Sequence, residues 1–177
     1  MKTKHTLLLV AFTLFSLLYI TSSYAAGENA MEEQPTTINI KRMSLDTALT
    51  AARASIAECR KKGVQITVTI IDRGGHPQVV LRDVLAMDVS IPISRDKAYT
   101  AMSFNSPTGN LTNRFEGAYG VPKTKGLLIA RGGLPILAAG SILGGIGVSG
   151  APSGETDEKC AQAGLDAIMD DLEMSAG

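Results

Sequence analysis

The sequence predicts an α+β fold, a single domain with one antiparallel sheet of about five strands flanked by helices. Three observations point to it. Short β-branched or apolar runs are separated by glycine-rich turns, and segments with apolar residues at helical spacing stand between and after them. Strand and helix do not alternate in the regular way that a parallel sheet requires.

The first residues stand outside the fold. Lys2, Lys4 and His5 precede an apolar run from Thr6 to Ile20 and the small-residue pattern Ser23-Tyr24-Ala25, the pattern of a secretory signal peptide cleaved after Ala25. The run is shorter than the roughly 20 residues that span a bilayer, so no stable membrane insertion is expected once the leader is removed. The expected location is periplasmic or secreted. Residues 26–36 are polar and contain Pro35, a flexible lead-in, and the domain is expected over residues 37–177.

Within that domain, Thr37 to Ile40 suits a short strand. Ser44 stands at an N-cap position, with Leu45, Leu49, Ala52, Ile56 and Cys59 at helical spacing behind it and Gly63 as a stop. Val64 to Asp72 and Gln78 to Arg82 are β-branched runs joined by Arg73-Gly74-Gly75-His76, which predicts a hairpin. Pro92 opens a helix from Ile91 to Phe104, and Pro107 ends it. Thr108 is placed to cap a short helix to about Glu116, and Gly117, Gly120 and Pro122 then make a loop. Leu127 to Ala130, Leu134 to Ala138 and Ile142 to Val148 read as strands of undecided pairing, followed by a helix from Glu155 to Glu173.

Composition excludes several kinds of chemistry. With Lys2 and Lys4 gone, acidic residues outnumber basic ones by two and no basic stripe exists, so nucleic acid is not an expected partner. The mature chain keeps one histidine, His76, and two tyrosines, Tyr99 and Tyr119. One histidine and two distant cysteines make neither a histidine-rich nor a Cys-x-x-Cys zinc site, and no Cys-x-x-Cys-His attaches a c-type haem. Gly145 to Gly150 matches Gly-x-Gly-x-x-Gly, but no strand can follow the helix behind it, so the glycines are read as close packing or a bulge within a strand. Gly147 to Ala151 falls short of a nucleophile elbow and has no histidine downstream. In an oxidising compartment Cys59 and Cys160 are expected to pair, two buried thiols being the alternative.

Five segments in order carry a family resemblance: Asp72 to Pro77, Lys97 to Ala101, Ser106-Pro107-Thr108, Gly132 to Ile136 and Ile146 to Gly150, with Asp157-Glu158-Lys159-Cys160-Ala161 behind them. From about Ile38 to Leu172 the chain resembles the GlcG/HbpS-like haem-binding proteins. The resemblance implies an antiparallel sheet flanked by helices, homo-oligomers, and haem or a related tetrapyrrole as ligand in some members. Some members are described as haem-degrading, and others stand beside glycolate or diol metabolism. Leu81 to Asp88 departs from the family's loop, so contacts of that loop are not carried over.

A haem site requires an iron ligand, an apolar slot and groups that receive the propionates. His76 is the strongest ligand by chemistry, and the resemblance places Thr108 near the iron, a plain helix cap being its other reading. Tyr99 and Tyr119 are further oxygen donors, although Tyr99 falls on a helix face that reads as core, as does Met102. Arg73, Arg82, Arg95 and Arg131 are candidates for the propionates. The pocket is expected between the Arg73 to Pro77 turn and the Phe104 to Thr108 helix break. The absence of a recognisable acid–base or nucleophile–base pair favours a protein that captures, stores or delivers haem. A haem-degrading or small-metabolite enzyme and a ligand-free oligomer are the alternatives.

Overall fold

A computed structural model describes residues 35–117 and 120–176. The leader, residues 26–34 of the lead-in and Tyr119 lie outside the described residues, together with the expectations placed on them. From Ile40 onward the chain forms one unit.

Helix α1 spans Leu45–Lys61. The Ser44 hydroxyl accepts from the Thr47 amide at 3.1 Å, and the chain leaves through Gly63 at φ +71, a conformation that favours glycine. Strands β1 (Thr67–Asp72) and β2 (Pro77–Arg82) form the expected hairpin. Helix α2 (Ser90–Phe104) carries Pro92 in its first turn and ends on Asn105 in the left-handed region. Strands β3 (Gly133–Ala138) and β4 (Ser141–Ser149) make a second hairpin, with Ala139 and Gly140 both at positive φ as a two-residue turn requires. Helices α3 (Gly154–Asp166) and α4 (Met169–Ala176) close the chain.

The sheet order is β2-β1-β4-β3, antiparallel throughout, so the two hairpins join through β1 and β4. On one face Val68, Ile70, Ile136, Ile146 and Val148 pack against Ala48, Ala52, Ala161 and Leu165 of α1 and α3. The Cys59–Cys160 disulfide joins those two helices, and no free cysteine remains among the described residues. The other face carries α2. Thr67 and Thr69 of β1 hydrogen-bond Ser90 and Ser94 of α2 at 2.6 and 2.7 Å. Gly145 and Gly147 let the helix lie directly on β4, because a Cβ at either would strike the backbone carbonyl of Ala98 or Ser94. The glycine run thus serves close packing.

The structure corrects several expectations. Four strands form the sheet among the described residues, against about five expected. Thr37 to Ile40 has no ladder partner there. Leu127 to Ala130 is a loop whose backbone groups are taken by side chains: Thr100 Oγ1 accepts from the Leu128 amide at 2.7 Å, and the Thr108 hydroxyl donates to the Ala130 carbonyl at 2.6 Å. Past Pro107 the helix is a single 3-10 turn, Thr108–Leu111, in a stretch where Gly109, Asn110 and Asn113 are poor helix formers. The last helix is broken between Asp166 and Met169, and Ile168 at the break is buried in the core with Leu172.

Candidate functional site

Helix α2 covers β1, β3 and β4 but barely reaches the edge strand β2. A cleft of about 410 Å³ opens there, lined by Gly75 and Pro77 from the β1–β2 turn, Arg95, Asp96 and Tyr99 from α2, and Lys125 and Gly126 from the loop before β3. The volume lies in the ordinary range of small-molecule pockets.

One wall is backbone and aromatic ring. Gly75 stands at φ +83, and a Cβ on it would lie 2.7 Å from Cε2 of Tyr99, so only glycine lets the turn approach the ring. Tyr99, expected in the core, is 38% exposed and faces this cleft. The correction follows from the lateral offset of α2: residues 98 and 101 meet the sheet, while 95 and 99 lie on the open flank.

His76 sits between two lining residues, its side chain 80% exposed and its Nδ1 3.5 Å from Asp72 Oδ1. Asp72 shapes this turn. Its Oδ1 accepts from the His76 amide at 3.0 Å. Burial opposes its ionisation, but the amides of His76 and Gly74, with the charges of Arg42 and His76, outweigh burial and hold its carboxyl below the usual value. On the opposite side Arg95 donates to Asp96 Oδ1 from Nε and a terminal nitrogen at 3.0 and 2.8 Å. Lys125 adds a second cation, leaving one positive charge in excess across the lining. Lys125 carries little signal in the sequence beyond a lysine–glycine step in a proline- and glycine-bearing loop.

The remaining candidates fall elsewhere. Thr108 is fully buried, and its hydroxyl donates to the Ala130 and Gly133 carbonyls at 2.6 and 3.3 Å while accepting from the Gly133 amide at 2.9 Å. It clamps the start of β3, and the cap position of the 3-10 turn belongs to Pro107. The Phe104 to Thr108 break therefore does not border the cleft, whose far wall is the flank of α2 with Lys125 and Gly126. Arg73 reaches the Ile142 carbonyl at 3.5 Å. Arg82 holds Asp88 and the Ala86 carbonyl at the other end of β2. Arg131 lies against Gly109 and Gly154 with Glu158 at 3.4 Å. Met102 is half-buried near Gly75. The fold thus brings Tyr99 and Arg95 to one cleft, with His76 in the turn beside it, and places Thr108, Arg82 and Arg131 elsewhere.

A four-stranded antiparallel sheet with α2 on one face, and a ligand-sized cleft beside that helix, define a small α+β domain with one aromatic, cation-bearing opening. The family model described as "Haem degrading protein HbpS-like" matches residues 43–166, and the chain belongs to this family. It is 32% identical over 136 residues to a 15.0 kDa protein from the dhaT-dhaS intergenic region of Citrobacter freundii, covering 74% of this chain and 95% of that protein. It is also similar to a double mutant of Streptomyces reticuli HbpS, with a TM-score of 0.73 and 35% identity over 81% of this chain and 98% of the other. A third likeness is to the PduOC:heme complex, with a TM-score of 0.68 and 28% identity over 72% and 96% of the two chains.

Proposed function

We propose that the mature protein binds haem or a related tetrapyrrole in the cleft between the β1–β2 turn and α2, outside the cytoplasm. The observation that carries this is the convergence of an apolar, glycine-backed wall with Tyr99 and two cations at one opening, with the exposed His76 in the adjoining turn. Flat ring and propionates find matching groups there, and His76 in the adjoining turn can supply a metal ligand. Family membership and the likeness to a haem complex support the same reading. Bound haem would supply a redox-active iron. His76 is the residue to ligate it, Tyr99 and Gly75 to face the ring, and Arg95 and Lys125 to receive the carboxylates. The Cys59–Cys160 disulfide supports export, since such bonds persist in oxidising compartments. The mature N-terminus is therefore expected at Ala26, and N-terminal sequencing beginning at Met1 would reject that.

Self-association belongs to the same proposal. The loop after β2 displays Val84 and Leu85 at 80% and 77% exposure, with Met87 and Val89 also exposed. Its backbone is held rigid by Asp83, Gln65 and Arg82. Arg82 and Asp88, 3.2 Å apart at its rim, give the patch one charge of each sign, which suits an isologous contact between two copies.

Ferric haem titrated into purified mature protein, with light scattering for the copy number, tests the proposal. A stable Soret shift is expected. His76→Ala should weaken binding by about tenfold, or about 1.4 kcal/mol, and change the ferric spectrum. Tyr99→Ala should weaken binding with the ferric spectrum retained. Unchanged affinity in both variants would move the ligand out of this cleft, and bleaching of the ring on adding reductant or peroxide would mark degradation instead of storage.

A further inference from the structure

A second groove, on the opposite side of β2 from the haem cleft, is built for a different kind of partner. It has a volume of about 500 Å³ and lies between α1 and the Val80–Asp83 stretch, where β2 ends and its loop begins. On α1, Arg53, Ile56, Ala57 and Arg60 recur at i, i+3, i+4 and i+7, so one helical stripe forms the whole wall. The floor is apolar, from Ile56, Ala57 and Leu81, and the rim carries Arg53, Arg60 and Arg82.

Three guanidiniums stand against two carboxylates, because Arg82 is already paired with Asp88 at 3.2 Å. Asp83 is buried and already held by Arg60, whose Nε and a terminal nitrogen both donate to it at 2.7 Å. That hydrogen-bonded pairing is the first reason the Asp83 carboxyl lies below its usual value. Arg53 has no ion-pair or hydrogen-bond partner among the described residues. The groove therefore holds excess positive charge over an apolar floor.

The other wall is a sheet edge. β2 pairs only with β1, so one side of its backbone is unpaired within the sheet. The opposite edge, β3, is blunted by Pro135, whereas β2 has no proline after Pro77. An open sheet edge is the feature on which extended peptides are bound by strand addition.

We propose that this groove takes an extended acidic peptide segment of a partner protein, its main chain adding to β2 and its carboxylates meeting Arg53. The proposal is independent of haem. It is tested by fluorescence anisotropy on the mature protein, using a labelled peptide of alternating valine and glutamate. Controls are the same peptide with lysine for glutamate and one N-methylated at alternate residues. The acidic peptide should bind about tenfold more tightly than the basic one, and Arg53→Glu, a surface change checked by a melting curve, should weaken it by a similar factor. The N-methylated peptide should not bind. Equal binding of acidic and basic peptides, or binding unchanged by Arg53→Glu, would overturn the proposal. So would tight binding of the N-methylated peptide, which shows that no strand is added, or no binding of any peptide. A peptide that merely converts an oligomer to monomers would assign this edge to a second copy and overturn it as well.

Discussion

Replacing Cys59 and Cys160 together by alanine is expected to lower the unfolding free energy by about 4–5 kcal/mol, a large share of the net stability of a domain of this size. The bond spans 101 residues of sequence, and a loop near that length restricts the unfolded chain by about 4.7 kcal/mol. Its position concentrates the effect. Both cysteines are fully buried where α1 crosses α3, and at the same contact Gly164 lies against Ser55 with no space for a side chain. Lost sulfur packing adds to the entropic term. Urea unfolding of the oxidised protein, the reduced protein and the double alanine variant measures it. A midpoint shared by all three would refute the expectation.

Lys97→Met should cost about 3–5 kcal/mol, because it strands a buried carboxylate. Lys97 Nζ lies 2.7 Å from Asp157 Oδ2 and 2.9 Å from the Val148 carbonyl, and Asp157 Oδ1 accepts from the Ala151 amide at 3.0 Å. Both side chains are 5% exposed, so water cannot replace the missing partner. The pair ties α2, the end of β4 and the start of α3 to one point. Burial pushes the Asp157 carboxyl above its usual value even with Lys97 and the Ala151 amide drawing it down, and removing Lys97 pushes it further. A carboxyl raised in the folded state takes up protons on folding, so its contribution is most favourable in acid and is lost as pH rises past about 4. The deficit of Lys97→Met relative to the natural chain should therefore be smallest near pH 4 and larger at pH 7. The double variant Lys97→Met, Asp157→Leu should recover much of it, since a buried pair replaced by apolar groups of similar size is often neutral. Denaturation curves at both pH values check the sign. An equal deficit at both, with no recovery in the double variant, would show that lost packing and not stranded charge dominates.

What could be read from the chain follows the range over which each signal acts. The cap at Ser44, the stop at Gly63, the β1–β2 hairpin and the span of α2 come from steric and hydrogen-bond preferences over a few residues, and each appears in the structure close to where the sequence places it. The false strand at Leu127 to Ala130 shows the limit. Its apolar pattern suits a strand, but the hydroxyls of Thr100 and Thr108, each more than 20 residues away, take backbone groups that a ladder would need.

For the site, local chemistry offered His76, Arg95, Thr108 and Arg131 alike as groups able to meet a ligand, and it could not rank them. The Thr108 hydroxyl is sealed against Ala130 and Gly133. Tyr99 has an apolar neighbourhood in sequence and an open one in space, because α2 is seated toward β4 by its contact with Gly145 and Gly147 and leaves its other flank bare. By itself the sequence determined the first hairpin, the spans of α1 and α2 and the stock of chemical groups, properties of near neighbours along the chain, and it offered the cysteine pair as a possibility. Tertiary structure alone decided that Lys125 joins Tyr99 at one opening, that Lys97 meets Asp157 and that Cys59 bonds Cys160, because those juxtapositions depend on how the sheet closes between its two layers of helices.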